Sequence, residues 1–339
     1  MFVTRTTAEL ASALLTRGDL ERSGERGPTI ARAVREGRLR RVRQGRYVPT
    51  DLWEMLSPEQ RHLLEVVAAE LDKQDGDLVA SHASSAVLWG LPLYRHAPTR
   101  VHGIARIDHR ASSTATVLRH TDELPDEDIT VRDGIRCTTL SRTAFDLART
   151  LPIEAAVAAV DAAMRIAAVR GQTLDPLRAE RWRAELGARV VAAKGTRGLR
   201  QAKDVIAFMD GRAQLPGESV SRLHLRRLGF APPRLQVPMI GPDGTTVWID
   251  FGLDDIPAWG EFDGTSKYLD PALRRGHTVE EALLEEKRRE DYLRARTARP
   301  FLRWGSAHIG TTEAFARQLR SLGVTLPTAS ARSRRPTFV

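Results

Sequence analysis

The stretch that decides the fold runs from residue 245 to residue 264, TTVWIDFGLDDIPAWGEFDG. TTVWIDFGL alternates apolar and polar residues and reads as a β-strand carrying Asp250. AWGEFDG reads as the next strand and places Glu261 and Asp263 two residues apart, on one face. Two adjacent carboxylates repel and lose hydration unless a cation or a proton neutralises them. With Asp250 on a neighbouring strand, the pattern points to a divalent-metal site. The competing reading is an acidic, turn-rich patch in which Asp263-Gly264 is a hairpin turn.

Working outward, RLQVPMI (residues 234–240) is a strand and GPDG (241–244) a tight turn that returns the chain into the Asp250 strand. Upstream, Pro216-Gly217 opens a helix, ESVSRLHLRRLG, with Glu218 in its first turn and Gly229 closing it. Downstream, Thr278 and Glu281 form a capping box at the start of a highly charged helix, followed by the strand RPFLRW and a short helix, TTEAFARQLRSLG. The last twelve residues, TASARSRRPTFV, read as a basic, disordered tail.

A strand-borne Asp, followed about ten residues later by Glu-x-Asp and preceded by a helix carrying Glu, resembles the PD-(D/E)XK nuclease superfamily. Among its branches the match is to the very-short-patch-repair-endonuclease-like group, on WIDFG, GEFDGTSKY, EEKRREDYLRA and RPFLRW. The resemblance implies a restriction-endonuclease-like α/β domain over residues 206–315. Asp250 and Glu261 would bind Mg²⁺ or Mn²⁺ with Asp263 beside them, and Glu218 would support from the first helix. Lys267 is the candidate to orient the attacking water or offset developing negative charge. Lys287, Arg288 and Asp291 would contact the phosphate backbone or order the surroundings of the metal ligands. Two positions depart from the pattern. Asp263 stands where the superfamily often has lysine, and Lys267 where the repair-like group often has histidine, so activity hinges on whether Lys267 reaches the carboxylates.

The N-terminal 56 residues differ in kind. Between Arg17 and Arg46 ten arginines face four acidic residues. A helix around Leu10 and Leu14, a second from Gly18 to about Ser23, and a third, TIARAVREG, burying Ile30, Ala33 and Val34, precede an extended pair around Gly45. Three short helices and a basic hairpin are the parts of a winged helix-turn-helix. Arg32, Arg35, Arg38, Arg40, Arg41 and Arg43 are its candidate nucleic-acid contacts. The competing reading is a solvated basic face on a protein-binding winged helix.

Residues 57–205 read as a mixed α/β domain, with short strands in VHGIARI, TATVLRHT, ITVRD and IRCTTL and a hairpin turn at Asp133-Gly134. SRTAFDLARTL and IEAAVAAVDAAMRIAA read as helices, and Leu174 to about Ile206 as further continuous helix. Ser81, His82 and Ser84 suggest a capped helix start rather than nucleophilic catalysis, since no glycine-flanked nucleophile elbow is present. Arg142 and Asp146, four apart on a helix, read as a structural ion pair. The order of wing, SHASSAVLWGLPL, β-rich section and TTLSRTAFDLAR, over about residues 7–165, resembles the AbiEi-like antitoxins of type IV toxin-antitoxin systems. That resemblance implies operator binding, autoregulation and a cognate toxin as partner.

Composition sets the frame. The chain has 339 residues, 42% hydrophobic and 28% charged, the profile of a globular protein too long for one core. Lys and Arg number 52 against 43 Asp and Glu, a net charge of +9 that favours a polyanionic partner such as DNA. Cys137 is the only cysteine, which excludes an internal disulfide and cysteine-based zinc clusters; its setting, IRCTTL, suggests a buried strand residue. No apolar run suits a membrane span and the N-terminus lacks a signal-peptide pattern, so the expected location is cytoplasmic. No heptad or apolar stripe fixes the oligomeric state. The expectation is an α/β multidomain, DNA-binding protein with a Mg²⁺-dependent endonuclease domain, serving phage defence or DNA repair. The alternative is an AbiEi-like transcriptional regulator whose nuclease-like domain is inactive.

Overall fold

The computed structural model describes residues 4–72, 78–105, 113–264, 287–288 and 291–327. Two compact mixed α/β units emerge, residues 1–150 and 151–339.

The first unit starts with α1 (Thr7–Ala13), capped by a reciprocal pair in which Thr6 accepts from the Glu9 N–H and Glu9 accepts from the Thr6 N–H. After β1 (Leu15–Thr16), Thr16 and Asp19 repeat that device for α2 (Arg17–Arg22). The next helix, α3 (Gly27–Arg35), buries Ile30 and Ala33 and stops at Gly37, whose φ of +74° only glycine adopts without strain. β2 (Leu39–Arg43) and β3 (Arg46–Pro49) form the expected hairpin, and β1 adds a third strand on the far side of β3. Sequence periodicity misses β1 because two residues between helices show no alternation. This helix–strand–helix–helix–hairpin order is that of a winged helix.

Two helices, α4 (Thr50–Met55) and α5 (Pro58–Asp72), lead into a five-stranded mixed sheet. Its elements are β4 (Leu78–Ala80), α6 (His82–Leu88), β5 (Val101–Ala105), β6 (Val117–His120), β7 (Ile129–Arg132) and β8 (Ile135–Thr138), in strand order β6-β5-β4-β8-β7. Asp133 and Gly134, with φ of +49° and +81°, make the two-residue turn that their pairing in sequence predicts. The unit ends with α7 (Leu140–Thr150), on which buried Arg142 bonds Asp146 at 3.0 Å and Asp128 at 3.2 Å, a structural ion pair. Cys137 is fully buried on β8, and burial pushes its thiol up to about 11.

The second unit comprises α8 (Ile153–Ala168), β9 (Val169–Arg170), β10 (Thr173–Leu174), α9 (Pro176–Ala192), α10 (Leu199–Phe208), α11 (Pro216–Arg227), β11 (Arg234–Ile240), β12 (Thr246–Leu253), β13 (Ala258–Asp263), β14 (Phe301–Gly305) and α12 (Thr312–Ser321). The continuous helix expected from Leu174 to Ile206 is instead two helices. Gly195 and Gly198, with φ of +91° and +84°, break it. The expected boundary at 205/206 falls inside α10, because α8 is clamped to α11: buried Asp161 accepts from Arg222 at 2.6 Å and from the Asp210 N–H at 2.8 Å.

One four-stranded sheet, β11-β12-β13-β14, organises this unit; its first three strands are antiparallel and β14 runs parallel to β13. Leu293, on the helix over residues 291–297, packs with Val237, Ile249 and Trp259. Elsewhere Trp304 packs between Phe251 and Phe315, and its indole N–H donates to Ser221 on α11 at 2.8 Å. Among the described residues no helix is long and apolar enough to cross a membrane. Lys267, the Thr278–Glu281 capping box and the tail from residue 328 lie outside the described residues.

Candidate active site

Besides Asp161, three carboxylates of the second unit are buried among the described residues: Glu218, 2% exposed, in the first turn of α11, Asp250, 6%, on β12, and Glu261, 8%, on β13. Register explains the pairing of the last two. Phe251 opposes Gly260 in the antiparallel ladder, so Asp250 and Glu261 come next, side by side. Asp250 Oδ2 accepts from the backbone N–H of Phe262 at 2.9 Å, which fixes its carboxylate against β13.

Glu218 is joined to Asp250 by Gln236 of β11. One amide nitrogen donates to Glu218 Oε2 and to Asp250 Oδ1, both at 3.2 Å, while the Gln214 N–H also reaches Glu218 at 2.9 Å. Gln236 has φ of +48°, and the β11–β12 ladder skips the pair between Leu235–Phe251 and Val237–Ile249. A non-glycine residue in the left-handed region within a strand carries strain of about 1–3 kcal/mol, a feature that concentrates at functional sites. Sequence reasoning missed Gln236 because nothing in RLQVPMI distinguishes an ordinary polar strand residue from a bridging one.

Two close contacts hold the carboxylates in place. A Cβ on Gly217 would fall 2.0 Å from the Phe262 ring, so the absent side chain is what lets α11 lie directly on β13. Likewise a Cβ on Gly260 would fall 2.4 Å from the Trp304 ring. Asp263, at the end of β13, is half-buried and meets the Arg303 guanidinium at 3.4 Å. Arg303 lies opposite Glu261 in the parallel β13–β14 ladder and is a cation beside the carboxylates that the motif reading overlooked. Because β14 runs parallel to β13, Asp263-Gly264 is not a hairpin turn between those two strands. Lys287, Arg288 and Asp291 are exposed, and Asp291 faces Arg294 at 3.7 Å.

The winged-helix arginines divide into several environments. Arg43 is tied down, at 10% side-chain exposure, by Asp72 of α5 at 3.2 Å, and Arg46 joins the same carboxylate at 2.7 Å. The ion pair with Asp72 ties Arg43, one of the expected nucleic-acid contacts, to α5. Arg40 lies 4.8 Å from the centre of the Trp53 ring. Exposed Arg32 and Arg38 share Glu36, at 3.8 and 2.9 Å, and Arg35 and Arg41 are also exposed.

A second cluster, in the first unit, brings together histidines that lie far apart along the chain. His82, at the start of α6, stacks on His120 of β6 with ring centres 3.6 Å apart and planes within 10°. His120 Nε2 lies 3.2 Å from His102 Nδ1 on β5, and His82 Nδ1 lies 3.0 Å from Ser81 Oγ. Ser81 is the N-cap residue of α6, as expected, but its side chain makes no capping bond; its backbone carbonyl accepts the N–H groups of Ser84 and Ser85. Ser84 bonds His62 at 2.9 Å and accepts the His102 N–H at 2.8 Å; it is fully buried. Burial first of all lowers these imidazoles, His82 and His120 to about 4 and His102 to about 3.

No family model matches the chain. Two uncharacterized proteins of Mycobacterium tuberculosis, Rv2248 and MT2308, are each 31% identical over 139 residues, 41% of this chain and 47% of theirs. The chain therefore spans about half the length of the curated relatives it matches. The crystal structure of the RV2827C protein from Mycobacterium tuberculosis aligns at 13% identity over 60% of this chain and 80% of that one, with a TM-score of 0.28.

Proposed function

We propose that this chain is a DNA-binding protein whose second unit hydrolyses phosphodiester bonds with Mg²⁺ or Mn²⁺. The observation that carries the reading is the burial of Glu218, Asp250 and Glu261 at one place, with Asp250 and Glu261 adjacent across β12 and β13. Buried carboxylates are costly unless their charge is met, and hard oxygen donors suit Mg²⁺ or Mn²⁺. Asp250 and Glu261 would hold the ion, with Glu218 oriented behind them through Gln236. When bound, such an ion polarises the phosphate and lowers the pKa of the attacking water. Arg303, beside Asp263, supplies positive charge for the pentacoordinate phosphate, a task that Lys267 would share. The winged helix would bring the duplex through Arg35, Arg38 and Arg41, and a phage-defence or repair setting follows from that pairing of functions.

A regulator with a cognate toxin is the second reading, favoured by one specific observation. Asp263 occupies the position where lysine is usual in the resembled superfamily, and it is engaged by Arg303. The deciding experiment is incubation of supercoiled and linear DNA with the protein and Mg²⁺, Mn²⁺ or chelator, alongside Glu261→Ala. Metal-dependent nicking lost in the variant supports the nuclease; binding without cleavage in either protein supports the regulator.

A further inference from the structure

Among the described residues, one group of three metal-ligating side chains has its donor atoms within 4.8 Å of one another: His82, His120 and Asp122. It lies in the first unit and is independent of the carboxylates of the second. We propose that these three residues form a binding site for a borderline divalent transition-metal ion of the Zn²⁺ class. Two imidazoles and one carboxylate are a donor set that such ions accept and that Mg²⁺ does not favour.

Three observations support the site. Each donor residue is held from behind, as metal ligands usually are. His82 Nδ1 has Ser81 Oγ, His120 Nε2 has His102 Nδ1, and Asp122 Oδ1 accepts from Arg149. That leaves His82 Nε2, His120 Nδ1 and Asp122 Oδ2 as the candidate ligand atoms of the cluster. Next, His82 Nε2 is buried with no hydrogen-bond partner, in a residue only 2% exposed. An orphaned polar atom at such depth is destabilising, and a bound ion would satisfy it. Finally, His82 adopts φ of +49° where β4 turns into α6, a strained backbone that aims its ring at His120.

The stacking has a consequence for the ion. Lone pairs of two parallel rings lie in parallel planes, so coordination of one ion requires the half-buried His120 ring to turn out of the stack. Three protein donors also leave a fourth position for water or another ligand, the composition of an open rather than a closed site.

The test uses the full chain, stripped with chelator and titrated with Zn²⁺ against a chromophoric chelator, then with Co²⁺. The expected result is about one equivalent bound, with visible Co²⁺ absorption and far-shifted imidazole N–H proton resonances from two histidines. His120→Asn and Asp122→Asn, both at half-buried positions, should each weaken Zn²⁺ binding more than about 100-fold with far-UV circular dichroism unchanged. Glu261→Gln should leave Zn²⁺ uptake intact, which separates this site from the carboxylate site. Failure of the wild-type chain to take up Zn²⁺, or uptake unchanged in both variants, overturns the proposal. If either variant does not fold, the wild-type Co²⁺ spectrum decides, and absence of shifted imidazole resonances overturns it as well.

Discussion

In the first unit three imidazoles gather around β5 and β6; in the second three buried carboxylates gather on α11, β12 and β13. The two solutions differ in how each charge problem is met. Burial keeps an imidazole neutral simply by lowering its pKa, so His82, His102 and His120 pack ring against ring. Carboxylates have no such quiet packing, and Glu218 and Asp250 are bridged by the Gln236 amide, with the Phe262 N–H behind Asp250. Neutral nitrogen donors suit a borderline metal and hard anionic oxygens suit Mg²⁺, so the two proposed sites would differ in the ions they take.

The largest expected effect tests the carboxylate side of this contrast. Asp250→Ala and Glu261→Ala should each lower Mg²⁺-dependent cleavage by at least about 10²-fold, since a lost metal contact removes several kcal/mol from transition-state stabilisation. DNA affinity in gel-shift titrations should stay nearly unchanged; a parallel loss of affinity would mean that the carboxylates serve folding rather than chemistry. Gly217→Ala comes next. Its Cβ would collide with the Phe262 ring, and overpacking of this kind costs about 1–3 kcal/mol. Hydrogen exchange should then quicken over residues 151–327 and not over residues 4–150, and uniform change would show that the two units do not respond separately.

Smaller effects separate the arginines. Arg38→Ala with Arg41→Ala should weaken DNA binding and reduce the slope of log affinity against log salt by about 2, as two phosphate contacts are lost. Arg43→Ala should instead cost about 1–3 kcal/mol of stability through the Asp72 anchor, read by urea denaturation. A changed salt slope without lost stability would return Arg43 to the binding face. The least effect concerns His224, neutral because burial holds its pKa below the usual value, with Thr312 Oγ1 at 3.0 Å and the Ile309 carbonyl at 3.2 Å. As pH falls through about 6.5 the unfolded chain takes up a proton that the native one refuses, so stability present above that pH is lost at up to about 1.4 kcal/mol per unit. His224→Gln should flatten the acid limb of the stability profile by that amount, and an unchanged limb would show that the ring is protonated in place.

Much of the architecture was legible because its signals are local. The alternation in TTVWIDFGL, the GPDG turn, the Asp133-Gly134 turn and the glycines that end α3 and α11 each encode geometry within a few residues. Features that depend on distant partners were not. Asp161 sits in an Ala-rich helix and shows nothing of Arg222, sixty-one residues away, so the unit boundary was placed too late. Gln236, Arg303 and the histidines at 82, 102 and 120 look ordinary along the chain and acquire meaning only where strands bring them together. The Arg43–Asp72 pair was illegible for the converse reason, since charge density along a sequence does not reveal which arginine is already engaged.

Gly217 has one more consequence. The flat ring of Phe262 works as a shim between helix and sheet, and its thickness sets the gap between the helix-borne Glu218 and the strand-borne Asp250 and Glu261. If Asp250 and Glu261 hold a cation as proposed, a thinner or bulkier side chain in place of that ring would shift the supporting Glu218 against them and so change the preferred ion from a position that never touches it.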